Sequence, residues 1–137
     1  MYTLEQIRKF QKQARELGFA GSDGFCAAAP ETLLDICNGF GPDAWPQLAR
    51  DLLTWLYGPY GAAAAQHDYD YTTQTKIRRE ADEDFAANMR LVWKSRWNWF
   101  ERFLRPSARR EKVFIEAAAL AVRNHGGSAW AEAAKNK

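Results

Sequence analysis

The stretch Ala62-Ala63-Ala64-Ala65-Gln66-His67-Asp68-Tyr69-Asp70-Tyr71 decides how this chain folds. Its first half is strong helix former, because alanine loses no side-chain entropy in a helix. Four alanines in a row also let a neighbouring helix approach closely. Gly58-Pro59-Tyr60-Gly61 breaks the chain just upstream. A second helix is expected to start near Lys76 and run past Trp93 as far as Phe103. On a wheel of about 100° per residue, Arg78, Ala81, Asp82, Phe85, Met89, Val92 and Trp93 fall on one side. Glu80, Glu83, Asp84, Ala87 and Arg90 fall outside that arc, so Asp82 sits in the middle of an apolar face.

Working outward, Thr3 and Gln6 read as a capping box for a first helix with its apolar stripe on Leu4, Ile7, Phe10, Ala14 and Leu17. Gly18 ends it. A Gly- and Ala-rich loop is expected through Gly21-Ser22-Asp23-Gly24. Pro30 then opens a short helix burying Leu33, Leu34 and Ile36 or Cys37. Asn38-Gly39-Phe40-Gly41-Pro42 is too punctuated for regular structure, and another helix is expected from near Pro46 to Tyr57. Pro106 and Ser107 open a last helix, expected to stop at His125-Gly126-Gly127 with His125 capping its C-terminal dipole. No segment alternates like a strand and no repeat is visible. The expected fold is a single all-α domain over 1–137, built on an antiparallel helix pair carrying His67-Asp68 and Asp82.

The chain has 137 residues, 47% of them hydrophobic and six of them Trp, which is enough to bury a core and argues against disorder. Net charge is +2, but residues 1–75 hold five Lys/Arg against nine Asp/Glu, and residues 76–137 fourteen against eight. The second half therefore offers a basic surface suited to phosphates, or simply a solvated helix face. Cys26 and Cys37 could form one bridge or remain two thiols; they cannot build a disulfide framework. The opening residues lack the basic start and apolar run of a secretory signal, and no stretch approaches the roughly 20 apolar residues of a membrane span. A chain without an export signal of its own is expected.

A carboxylate on an apolar face needs a partner, since an unpaired buried charge costs several kcal/mol. Arg78, one turn earlier, is one candidate for Asp82, and His67 on the preceding helix is the other. If His67 donates Nδ1–H to Asp82, Nε2 is left as an acceptor, the form a general base requires. The plainer alternative is a structural Arg78–Asp82 salt bridge beside a satisfied core histidine.

His67-Asp68-Tyr69-Asp70-Tyr71, followed by Ala81-Asp82-Glu83-Asp84-Phe85 and Met89, resembles the catalytic helix pair of the secreted phospholipase A2 family. The likeness is to its prokaryotic branch and to prophage-encoded relatives. Asn38-Gly39-Phe40-Gly41-Pro42 is similar to that family's calcium loop, and Val122 to Trp130 resembles the end of the phage-type relatives. The resemblance covers about residues 36–130.

It implies that His67 is the general base that activates a water to attack an ester carbonyl, with Asp82 orienting the imidazole. It implies that Asp68 binds Ca²⁺, with backbone carbonyls around Phe40 and Gly41, and Asp43, completing a shell at about 2.3–2.6 Å. The family carries cysteines in this loop and beside the His-Asp pair. Here Phe40 stands inside the loop, Cys37 precedes it, and Asp70, in a position often held by a cysteine or a small residue, could add a ligand or face solvent, the second being the expectation.

Other chemistries lack their residues. A metal phosphohydrolase needs more histidines than His67 and His125, and the chain has no Gly-x-Ser-x-Gly elbow, Cys/His zinc spacing or phosphate loop. Trp93, Trp97, Phe100 and Leu104 would share a face of a continuous helix, with Lys94, Arg96, Arg102 and Arg105 interspersed. A basic, Trp-rich helix suits a phospholipid surface through Trp93, Trp97, Arg96 and Arg102. Nucleic acid is the less favoured partner, and plain core packing the bland one. The expected activity is Ca²⁺-dependent hydrolysis of a phospholipid or related ester. The alternative is a prophage structural or interaction module that keeps the scaffold without catalysis.

Overall fold

The computed structural model describes residues 2–37 and 58–135 and is all-helical, with no strand among the described residues. Helix α1 (Leu4–Leu17) begins at the Thr3/Gln6 capping box and ends at Gly18, whose φ of 66° is left-handed. Both ends are set by local chemistry, because glycine carries no Cβ to oppose that conformation. The expected loop after Gly21 holds a short helix instead, α2 (Asp23–Ala27). Gln11, buried on α1, donates from Nε2 to the carbonyls of Phe25 (3.0 Å) and Ala28 (2.9 Å). Those two bonds satisfy loose backbone acceptors and draw α2 onto α1. Helix α3 (Pro30–Ile36) has its proline in the first turn and buries Leu33, with Cys37 buried just beyond it. Cys26 and Cys37 are both free thiols.

Helix α4 (Gly61–Thr73) is the centre of the fold. Every residue from Gly61 to His67 is buried, so the helix shows no apolar stripe; it is covered on nearly every side. The alanines admit close neighbours, and α4 packs against α1, α3, α5 and α7. At Gly61 a Cβ would lie 2.6 Å from the ring of Phe10. Helix α5 (Arg78–Arg96) buries Ala81, Asp82, Phe85, Met89 and Val92, the arc expected from the wheel.

The continuous helix to Phe103 is corrected. Trp97 is extended (φ −126°, ψ 125°), and Asn98 restarts the chain with a capping box to Glu101, opening α6 (Trp99–Leu104). Helix α7 (Pro106–Lys135) runs through His125-Gly126-Gly127 rather than ending there. His125 is therefore an exposed mid-helix residue, not a cap. The turn after α4 holds this helix beyond its glycines: Gln74 Nε2 donates to the carbonyl of Trp130 at 2.7 Å, and Tyr71 meets the Trp130 ring edge-on at 5.1 Å. Local glycine propensity is overridden by tertiary contact. The segment expected as a helix from Pro46 to Tyr57 lies outside the described residues. No helix among the described residues is long and apolar enough to cross a membrane.

Candidate functional site

Helix α4 presents His67 and Tyr71, one turn apart, to Asp82 on α5. His67 Nε2 lies 2.9 Å from Asp82 Oδ1, and the Tyr71 hydroxyl donates to the same oxygen at 2.7 Å. Arg78 Nε approaches the other oxygen, Oδ2, at 3.4 Å. Both partners read from sequence are thus present together, and the carboxylate is shared between them. All three of His67, Tyr71 and Asp82 are buried. Three donors on one buried carboxylate offset the desolvation that would otherwise drive it out of the core.

The nitrogen roles are the reverse of the sequence expectation. A carboxylate only accepts, so Nε2 carries the proton toward Asp82, and in the neutral imidazole Nδ1 is the nitrogen with the lone pair. No hydrogen bond from a described residue reaches Nδ1. The ring packs at a tilt against Tyr71 (centroids 4.2 Å, planes at 42°) and Phe85 (4.6 Å, 32°), which restricts where Nδ1 points.

Tyr71 is the site residue that the sequence reading passed over. Its signal was present as the i+4 spacing from His67, but a tyrosine one turn on from a core residue reads equally as packing. Two glycines on α7 make room for this network. A Cβ at Gly126 would overlap the Tyr71 hydroxyl, and one at Gly127 would lie 2.8 Å from an Arg78 nitrogen. Arg78 also donates to the carbonyl of Arg123.

Asp68, next to His67 in the chain, makes no hydrogen bond to this network. The residue as a whole is half-buried, while its Oδ2 is sealed from solvent and has no hydrogen-bond partner among the described residues. Burial pushes its carboxyl up from 3.8 to about 7, with no cation among the described residues favouring the charged form. Its negative charge in turn helps to hold the Cys37 thiol high, behind the larger effect of burial. Asp70, expected in solvent, is buried and pairs with Lys76 at 3.1 Å. Burial raises its carboxyl and Lys76 opposes the rise. Lys76 also bonds Asp84 (2.9 Å) and the Gly21 carbonyl (3.0 Å), stapling the α4–α5 turn to the loop after α1.

Phe40, Gly41 and Asp43 lie outside the described residues. Among the described residues no three His, Cys, Asp or Glu side chains converge as a metal cluster. A cleft of about 520 Å³ between α5 and α7 is lined by Arg78, Asp82, Arg90 and Arg123 among others, but not by His67 or Asp68. It touches the network only from the Asp82 side.

Trp93 and Trp97 are each half-buried. Trp93 donates its indole N–H to the Ala108 carbonyl at 2.8 Å, and Arg102 and Lys112 lie over its ring. Trp97 is half-buried with its Nε1 sealed from solvent, and Arg96 is bonded to Glu111 at 2.6 Å. Set against family models, curated proteins and solved structures, the chain matches none.

Proposed function

We propose that the antiparallel pair of α4 and α5 is a hydrolytic frame, in which His67 takes a proton from a water that attacks the ester carbonyl of a phospholipid. The observation that carries this reading is the His67 Nε2–Asp82 Oδ1 bond at 2.9 Å, which leaves Nδ1 as the one acceptor on an immobilised ring. Asp82 supports the imidazolium that forms when Nδ1 gains the proton, and Tyr71 and Arg78 fix the carboxylate's orientation. Among the described residues no Ser or Cys is hydrogen-bonded to His67, so the reading takes water as the nucleophile with no covalent intermediate.

Asp68 fits a Ca²⁺ ligand. It is a carboxylate with one oxygen sealed from solvent and with neither partner nor counter-charge among the described residues, a deficit that a divalent cation bound there would remove. Such an ion supplies polarisation of the carbonyl and stabilisation of the oxyanion. The rest of its shell would come from Phe40, Gly41 and Asp43. Adjacency of His67 and Asp68 gives the two roles different directions, since successive helix residues point about 100° apart.

A second reading has its own support: His67 packs against two aromatic rings and is almost wholly buried, as a structural histidine would be. In that case the chain is an interaction module keeping the network as scaffold. Calcium binding separates the two. The hydrolase reading expects millimolar Ca²⁺ to raise the melting temperature of wild type but not of Asp68→Asn; no shift in either protein favours the scaffold.

A further inference from the structure

Helix α6 holds four of the eight large apolar side chains exposed among the described residues. Trp99, Phe100, Phe103 and Leu104 are exposed by 68%, 62%, 67% and 62%. At helical spacing these four occupy one arc, with Glu101 and Arg102 on the opposite side. No residue of α6 is buried, so the helix is not folded for the sake of the core. One residue, Arg105, separates it from α7, where Val113 is 67% exposed and shares a face with Arg109 and Arg110. From Lys94 to Val113 the chain has seven Lys/Arg and two Asp/Glu. No ion pair with a described residue holds Lys94, Arg109 or Arg110.

We propose that α6 and the first turns of α7 are a docking surface for an anionic lipid bilayer. Water leaves four large apolar side chains exposed here at a cost that burial would recover. A six-residue helix is only about 9 Å long, which suits it to lie at the headgroup–acyl boundary rather than to cross. Tryptophan and phenylalanine favour that boundary, and the surrounding guanidinium groups meet lipid phosphates. Charge chooses among occupants. A second copy of this chain would bring the same excess of cations against itself, whereas an anionic surface neutralises them. The surface stands apart from the His67 network and does not rest on hydrolysis; a non-catalytic chain would dock in the same way.

The test uses vesicles of ether-linked phospholipid, which have no ester to cleave, so failed binding and failed catalysis are distinguished. Wild type is mixed with vesicles of neutral phosphatidylcholine and with vesicles containing about 30% phosphatidylglycerol, whose negative surface potential attracts basic segments, and separated by flotation. The proposal expects binding at least tenfold stronger to the anionic vesicles, weakened by salt. It expects Phe100→Ser/Phe103→Ser/Leu104→Ser to lose about tenfold or more while keeping the wild-type melting temperature, because these side chains support no core. Equal partition to neutral and anionic vesicles overturns it, as does undiminished binding by the triple variant. Absence of binding together with a concentration-dependent dimer that the variant abolishes also overturns it, and assigns the surface to a second copy.

Discussion

Tyr71 donates to the Asp82 oxygen that His67 already holds, at 2.7 Å, and reaches it across a glycine on another helix. Alanine is the better helix former at position 126 by about 1 kcal/mol, yet a Cβ there meets the Tyr71 hydroxyl. Gly126→Ala is therefore expected to destabilise by about 1–3 kcal/mol through overpacking. The same change made in a Tyr71→Phe background should cost less, because the clashing oxygen is gone. Urea unfolding of the four proteins in a double-mutant cycle measures this. Additive costs would contradict the account.

Asp82 is expected to be the least replaceable charge of the fold. Asp82→Ala strands His67, Tyr71 and Arg78 around a cavity, and a loss of about 3–5 kcal/mol is expected. Tyr71→Phe removes one of three donors to the same carboxylate and should cost about 1.5–3 kcal/mol. Chemical denaturation that ranked the two variants in the opposite order would argue against Asp82 as the hub.

Lys76 holds two carboxylates, Asp70 and Asp84, and the Gly21 carbonyl. Lys76→Met keeps the stem and removes the charge, leaving Asp70 buried without its counter-ion. About 2–3 kcal/mol should be lost, discounted for the partial exposure of the lysine. Hydrogen exchange should show the α4–α5 turn opening first. Uniform loss of protection across the chain would contradict a local staple.

Asp68 predicts an unusual pH dependence. Its folded carboxyl titrates at about 7 against 3.8 ordinarily, through burial. A raised acid binds its proton more tightly in the folded chain, so its contribution is present at low pH and lost as pH climbs from about 4 to about 7. The loss is on the order of 4 kcal/mol for a shift of this size. Asp68→Asn never ionises there, so it should match wild type near pH 4 and exceed it in stability at pH 8. Denaturant midpoints at the two pH values read this directly, and a gap independent of pH would contradict it. Added Ca²⁺ should narrow the gap at pH 8 by stabilising wild type alone.

What the sequence made legible follows from how local each signal is. Thr3, Gln6 and Gly18 fix α1 by contacts within a few residues, so its ends could be read directly. Asp82 could be placed because a charge on an apolar arc is rare. The break at Trp97 was missed although Asn98 and Glu101 form a capping box, because the aromatic spacing continues across it. Gly126 and Gly127 were misread because a glycine pair marks either a helix end or a close approach, and only Tyr71 and Arg78 decide which. Asp70 was misplaced for the same reason: its partner, Lys76, lies across a turn whose path the residues do not announce. The loop of Phe40, Gly41 and Asp43 lies beyond the described residues, so the expected calcium shell rests on Asp68 alone.

The central claim is that His67 is a general base for lipid ester hydrolysis, and fatty-acid release from phospholipid vesicles tests it most directly. Wild type, His67→Gln and Asp68→Asn are assayed side by side with millimolar Ca²⁺ and with chelator. The account predicts release by wild type that requires Ca²⁺, falls about 10²–10⁴-fold in His67→Gln, and is lost in Asp68→Asn. Equal release from wild type and His67→Gln, or none from wild type with Ca²⁺ present, would contradict it.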